Sequence, residues 1–167
     1  IEGCAKAHLA AAEVGRSGER YLVGDTHVTN AELLETKCDV LALAALQNQI
    51  TAENADRIDC KILAEGANGP TTLEADEILN NRGIFIVPDV LANAGGVTVS
   101  YFEWVQGTQN YMWSLEEINS RLHRIMTAAF SAALERAVRD KIDMRTAALI
   151  EGIDRITQAK LLRGLFP

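Results

Sequence analysis

KILAEGANGPTTLEADEILNNRGIFIVPDVLANAGGVTVSYFEWVQ, residues 61–106, decides how this chain folds. It reads as strand, loop, helix, strand, loop, helix. Lys61-Ile62-Leu63-Ala64 and Ile84-Phe85-Ile86-Val87 are the two strands, and each runs into a loop dense in Gly, Asn, Asp and Pro. Upstream, Val40 to Ala45 is apolar without alternation, the pattern of a strand buried on both faces. Three such strands joined by short helices predict an α/β fold with a βαβαβ parallel sheet, helices lying over it. Loops at the carboxyl ends of parallel strands open on one edge, where ligands bind. Asn68 and Asn93 are therefore expected to face one crevice from neighbouring loops, as a site for a polar, planar ligand.

The helices have start and stop signals of their own. Thr51 is placed to cap a short helix ending near Ile58, and Thr71 with Glu74 forms a capping box for a helix that stops at Gly83. Nearer the start, Ile1 to Gly18 is alanine-rich and predicted helical, Tyr21-Leu22-Val23 extended, and Thr29 with Glu32 opens a brief helix to about Thr36. Beyond Asp89 the pattern is wholly helical, beginning with one helix over roughly Leu91 to Gln106. That helix contains Gly95-Gly96, which costs about 1 kcal/mol per glycine relative to Ala, so something is expected to approach the backbone closely there. Ser114 and Glu117 cap the next helix, whose Ile118, Leu122, Ile125, Ala129, Leu134 and Val138 recur near a period of 3.6 and predict one buried face. A last helix is predicted from Met144 to Leu162. The tail helices offer no catalytic group and read as packing elements.

Bulk properties narrow the function. The chain has 167 residues, 48% hydrophobic and 23% charged, the composition of a globular protein with a real core. Its net charge of −7 argues against nucleic acid or an anionic membrane as partner. The longest apolar run, Val40 to Leu46, is too short to span a bilayer. The first residues lack the basic end and apolar core of a secretory signal, so none is expected. Cys4, Cys38 and Cys60 form no CxxC pair and fit a reducing compartment, with buried thiols acting as small hydrophobes. His8, His27 and His123 have no metal-ligand spacing, and no metal site is expected.

Longer motifs carry a resemblance. AEGANGPTTLEAD (residues 64–76), VPDVLANAGGVTVSYFEW (87–104) and DMRTAA (143–148) resemble the C-terminal part of glutamate dehydrogenase, and ALQNQIT (45–51) is similar to that family's nicotinamide-side loop. The likeness extends from about Thr29 onward. Leucine, phenylalanine and valine dehydrogenases share the Asn-Ala-Gly-Gly portion but usually not the GPTT and SYFEW continuations. The resemblance implies a partial Rossmann-type domain over residues 1–110, with C-terminal helices over 111–167 packing on it. It implies a full enzyme, usually hexameric, that oxidatively deaminates L-glutamate to 2-oxoglutarate and ammonium with NAD or NADP. A cytoplasmic location follows, or the mitochondrial matrix for an animal protein.

Carried over by position, Ala44 and Ala45 would lie against the nicotinamide and its ribose, Asn68 would contact that ribose, and Asn93 would sit beside the nicotinamide and substrate. Val97 and Ser100 would flank the substrate side chain, the Ser100 hydroxyl donating to its γ-carboxylate. These residue types suit the chemistry. Hydride transfer is a problem of orientation, and short amides fix a carboxamide and ribose hydroxyls without adding charge. Each residue also has a plainer reading. Asn68 could hold the turn before Pro70, Asn93 could bond its own backbone at a helix start, and Ser100 could bond the carbonyl one turn earlier. Val97, Trp104 and Trp113 would by default be core.

Other parts of such a site have no counterpart in this sequence. There is no strand–G-x-G-x-x-G–helix unit to hold a pyrophosphate, since Gly15-Arg16-Ser17-Gly18 follows a helical pattern. None of the five lysines (Lys6, Lys37, Lys61, Lys141, Lys160) sits in a motif matching the family's catalytic lysines, so no catalytic residue is assigned to this chain and on its own it is expected to be inactive. Leu43 stands where the family commonly has proline, and Gln47 where glutamate is common. Two other readings stay open: a non-catalytic remnant or regulatory subunit, and part of a branched-chain or aromatic amino-acid dehydrogenase. Ser100 speaks against the latter, because an apolar pocket would leave its hydroxyl without a ligand partner.

Overall fold

A computed structural model describes residues 33–164. The elements predicted before residue 33 lie outside it, and of the helix predicted to Thr36 only Leu33 and Leu34 are seen as helical. The sheet is built from β1 (Val40–Leu43), β2 (Ile62–Glu65) and β3 (Phe85–Val87), all parallel and in the order β1-β2-β3. Leu41 pairs with Leu63, and Leu63 with Ile86. The three apolar runs thus form the expected α/β sheet, a partial Rossmann-type one. β1 ends at Leu43 rather than Ala45.

The first crossover is shorter than predicted. It contains no α-helix from Thr51, only a 3₁₀ turn at Ala55–Arg57. Asn54 Oδ1 accepts from Thr51 N at 2.8 Å, the reach-back of a capping box, and Ala55 N donates to Thr51 O at 3.0 Å, so Thr51 does open a turn, which ends at the extended backbone of Ile58. In the second crossover α1 (Leu73–Asn81) begins one residue later than the predicted box. Thr72, not Thr71, accepts from Ala75 N at 3.3 Å. Thr71 is drawn into a parallel bridge with Ile50, and its buried hydroxyl has no partner among the described residues. Gly83, at φ +80°, stops the helix as expected.

Beyond β3 the single helix predicted over Leu91–Gln106 is two. α2 (Asp89–Ala92) and α3 (Ala94–Gln109) meet at Asn93, where φ −98° and ψ 0° interrupt the helical path. The predicted close approach at the glycine pair is not made by any described residue. A Cβ on Gly95 would meet only Leu122 Cδ1, at 3.9 Å, and one on Gly96 nothing within 4 Å. α4 (Leu115–Asp140) opens with the predicted box: Ser114 N donates to Glu117 Oε2 at 2.8 Å, and Glu117 N to Ser114 Oγ at 3.2 Å. The Ser114 N–H and the Ser114 hydroxyl, which also donates to Oε2 at 2.9 Å, hold the Glu117 carboxyl below the usual carboxylate range. α5 (Met144–Arg163) is capped by Asp143, which accepts from Thr146 N at 2.8 Å.

Two apolar clusters hold these layers. Leu63 and Ile86 pack with Ile50, Ile58, Ala75 and Leu79 under the sheet and α1. Phe85 and Val87, from the alternate positions of β3, pack with Leu91, Ala133, Met144 and Ala147 of the helical layer. No helix among the described residues is long and apolar enough to cross a membrane.

Candidate functional site

The loops after β1 and β2 are fastened together where the sheet ends. Ala67 N donates to Leu43 O at 2.7 Å. At Gly66 an added Cβ would lie 3.2 Å from Ala44 Cβ and 3.4 Å from Leu43 O, so the close approach of the two loops depends on glycine. Further out, Asn48, at φ 52°, donates from its backbone to Gly69 O at 2.9 Å, and Gln49 and Ile50 both donate to Pro70 O. Ala44 and Ala45 are exposed on this edge, and Ala44 lies against the start of the Asn68 loop.

The two asparagines meet directly. Asn93 Nδ2 donates to Asn68 Oδ1 at 2.7 Å, joining the loop after β2 to the α2–α3 junction. Their plainer readings do not describe this arrangement. The left-handed residue of the turn is Gly69, at φ +56°, and Asn68 needs no such backbone. Asn93 stands at the N-terminus of α3 but makes no side-chain cap bond. The pairing leaves Asn68 Nδ2 as a donor, and Asn93 Oδ1 as an acceptor beside one remaining N–H. A donor and an acceptor held side by side complement a carboxamide or a pair of hydroxyls.

Val97 and Ser100 follow on α3, one turn apart. Val97 is 71% exposed, so it is not the core residue its type suggests. Thr98 bonds back to Ala94 O at 2.8 Å, whereas Ser100 has no hydrogen-bond partner among the described residues. Tyr101 and Trp104 stack with ring centroids 5.8 Å apart, and both are exposed, which for Trp104 again goes against the default of core. Trp113 is half-buried, edge-on to Phe102 and beneath the Arg121 guanidinium at 4.2 Å. Ser100 is seven residues beyond Asn93, about 10 Å along the helix axis. The structure therefore joins Asn68 to Asn93 and sets Ala44 against Gly66, two residues before Asn68. Val97 and Ser100 form a separate group, on the helix that leaves Asn93, and Ala45 stands exposed between β1 and the loop.

Four residues behind this edge escaped the sequence reading. Arg145, on the first turn of α5, reaches Glu65 Oε1 at 2.7 Å, Asp76 Oδ1 at 2.7 Å and Asp89 Oδ1 at 3.3 Å. The Glu65 side chain has no exposed surface. Burial alone would lower the Arg145 pKa, but hydrogen bonds to Glu65 and Asp76 outweigh it and hold it above the ordinary arginine value. Glu65 Oε2 also accepts from Asp89 N at 2.9 Å, and Asp89 Oδ2 from Gly69 N at 2.8 Å. Each residue sits at an element end inside a quoted motif, but nothing in sequence joins the four.

A profile of the Glutamate/Leucine/Phenylalanine/Valine dehydrogenase family matches residues 5–164. Among similar proteins, a glutamate dehydrogenase of Thermotoga maritima is 54% identical over 140 residues, covering 84% of this chain and 34% of its own length. A catabolic NAD-specific glutamate dehydrogenase of Bacillus subtilis is 53% identical over 137 residues, or 82% of this chain and 32% of that protein. The chain thus spans about a third of the length of these relatives. Among solved structures, a hetero-hexameric glutamate dehydrogenase from Thermus thermophilus superposes with a TM-score of 0.79 at 31% identity, over 97% of this chain and 38% of that one. The glutamate dehydrogenase from Peptoniphilus asaccharolyticus gives 0.70 at 41% identity, over 75% and 32%.

Proposed function

Because this chain belongs to the glutamate/leucine/phenylalanine/valine dehydrogenase family, we propose that it forms the nicotinamide-side part of the NAD(P)-binding domain of a glutamate dehydrogenase. The observation that carries the reading is the Asn68–Asn93 pair, two neutral amides joined at 2.7 Å across the carboxyl edge of a parallel sheet. The names of relatives favour glutamate as substrate and NAD over NADP.

A nicotinamide dinucleotide bound there supplies a hydride acceptor for the substrate Cα. The residues of this chain orient it. Asn68 Nδ2 would donate to a ribose hydroxyl, Asn93 would present its carbonyl to the carboxamide, and Ala44 and Ala45 would leave room for the ring. Val97 and Ser100 contact the substrate, the unpartnered Ser100 hydroxyl donating to the γ-carboxylate. The exposed Val97, Tyr101 and Trp104 would then border a cleft closed by protein beyond this chain.

In this reading residues 1–110 and 111–167 are two parts of one nucleotide-binding unit, and the 167-residue chain alone turns over no glutamate. The complete enzyme is a cytoplasmic oligomer, a hexamer if it follows its hetero-hexameric Thermus neighbour. The test is turnover of glutamate, leucine, phenylalanine and valine by the complete protein with NAD and with NADP. Glutamate is expected to win by at least tenfold in kcat/KM. A preference for an apolar amino acid overturns the assignment. A second reading, a non-catalytic subunit of a mixed oligomer, draws on the hetero-hexameric Thermus neighbour. It requires that the purified complete chain be inactive until mixed with an active partner.

A further inference from the structure

We propose that Asp89 is a positioning residue for the asparagine pair: one aspartate fixes both amides relative to each other. Its main chain sets Asn93. The Asp89 carbonyl accepts from Asn93 N at 3.1 Å, across the single turn of α2. Its side chain sets Asn68. Asp89 Oδ2 accepts from Gly69 N at 2.8 Å, the left-handed residue directly after Asn68. Removing that acceptor frees the turn on which the Asn68 side chain is aimed.

The aspartate is itself held from three sides. Its backbone N–H donates to Glu65 Oε2 at 2.9 Å, at the end of β2. Its Oδ1 accepts from Val90 N at 2.7 Å and faces Arg145 Nη1 at 3.3 Å. Three donors therefore converge on one carboxylate that is only 18% exposed. An ionised carboxylate is acceptor-only and satisfies all three. An asparagine of the same shape cannot. Whichever way its amide turns, the NH2 faces either Gly69 N–H or the Val90 and Arg145 donors.

Asp76 provides the control. It shares Arg145, at 2.7 Å and 3.0 Å, but bonds neither Gly69 nor Asn93. If the cluster only fastens α5 to the sheet, Asp76→Asn and Asp89→Asn should act alike. If Asp89 positions the amides, only Asp89→Asn should disturb them. The functional half of this proposal rests on the dehydrogenase reading above; the geometric half does not.

The experiment has two arms. In the 167-residue chain, NMR follows Gly69 N–H exchange and the side-chain amide signals of Asn68 and Asn93. Asp89→Asn is expected to speed Gly69 exchange by about tenfold or more and to shift the Asn93 amide, while Asp76→Asn leaves both in place. Asp89→Glu keeps the charge facing Arg145 but moves the carboxylate by a methylene, and repeats the loss should Asp89→Asn fail to fold. In the complete dehydrogenase, Asp89→Asn should lower kcat about tenfold with the KM for glutamate within about threefold, and Asp76→Asn should leave kcat within about twofold. Unchanged Gly69 exchange, equal effects of the two variants, or lost protection with unchanged kcat overturns the proposal. A parent protein that oxidises no glutamate overturns the proposed function instead, and the NMR arm still decides the positioning.

Discussion

Beneath the sheet, Ile50, Ile58, Leu63 and Leu79 have no exposed surface, whereas α4 and α5 bury Ala133, Ala137, Ala147 and Met144 and leave Val138 and Ile156 outside. Large side chains give the sheet half a core of its own. Burying a leucine or isoleucine is worth roughly 1.5–3 kcal/mol, and an alanine far less. In the helical half the alanines let two long helices approach closely, and polar contacts add to the seam. Arg136 of α4 reaches Glu151 at 2.5 Å and Asp154 at 2.6 Å on α5. The halves are joined at a charged junction, Arg145 among Glu65, Asp76 and Asp89, directly behind the asparagine loops. The helical half thus serves the site by bracing it.

The largest expected effect breaks that junction. Arg145→Met keeps most of the volume but leaves three carboxylates without their cation, one of them fully buried. Losing one partner of a buried ion pair costs about 3–5 kcal/mol. Chemical denaturation of the 167-residue chain should show a loss of this size. A loss below about 1 kcal/mol would mean that the apolar seam alone attaches the helices to the sheet. The helical half would then not brace the asparagine loops through this junction.

Next comes Ser100, which belongs to neither core. Its exposed, unpartnered hydroxyl predicts that Ser100→Ala leaves stability within about 0.5 kcal/mol. If it bonds the substrate γ-carboxylate in the complete enzyme, the variant loses a charge-assisted bond of roughly 1.5–3 kcal/mol. That is a fall of about ten- to a hundredfold in kcat/KM for glutamate. Norvaline, which lacks the γ-carboxylate, should lose far less. An unchanged ratio between the two substrates removes Ser100 from the site.

The third prediction tests the sheet half by pH. Burial, with Cys38 and Asp59 beside it, pushes the Cys60 thiol up to about 11. An ordinary thiol ionises near about 8.5. Between those values the folded chain holds the proton more tightly than the unfolded one, so stability falls as pH rises through the window. Relative to Cys60→Ala, the parent should lose about 2–3 kcal/mol from pH 8 to pH 11. Parallel curves for the two proteins would show that the thiol ionises without cost to the fold.

What the sequence disclosed follows the same division. The strands were legible because each is an unbroken apolar run between turn residues, and the asparagines because they stand in the loops those runs define. Boundaries set by one side chain were not. Thr51 does open a turn, but only a 3₁₀ one follows at Ala55–Arg57 before the extended Ile58. The adjacent Thr71 and Thr72 were equally good caps until Ile50 claimed the first. The break at Asn93 was hidden by the glycine pair beside it, which drew attention to the wrong residues. The Arg145 cluster was beyond reach for a different reason. Its partners stand 80, 69 and 56 residues away in sequence, and only the packed sheet brings them together.

The smallest effect is expected on the outer face of α5, where Leu149, Ile153 and Ile156 recur at helical spacing and become more exposed along the chain. Ile156 is 71% exposed, so Ile156→Gln removes little buried area. Glutamine is also a slightly better helix former than isoleucine. The net change should stay within about 0.5 kcal/mol of zero. Thermal melts at two protein concentrations make the result informative either way. No loss at both means that the helical half leaves this face to solvent. A loss above about 1 kcal/mol that grows with concentration means that a second copy covers it. The same loss at every concentration means that residues outside 33–164 do. In either of the last two cases the helical half buries more than its alanines, and the contrast with the sheet half narrows by that amount.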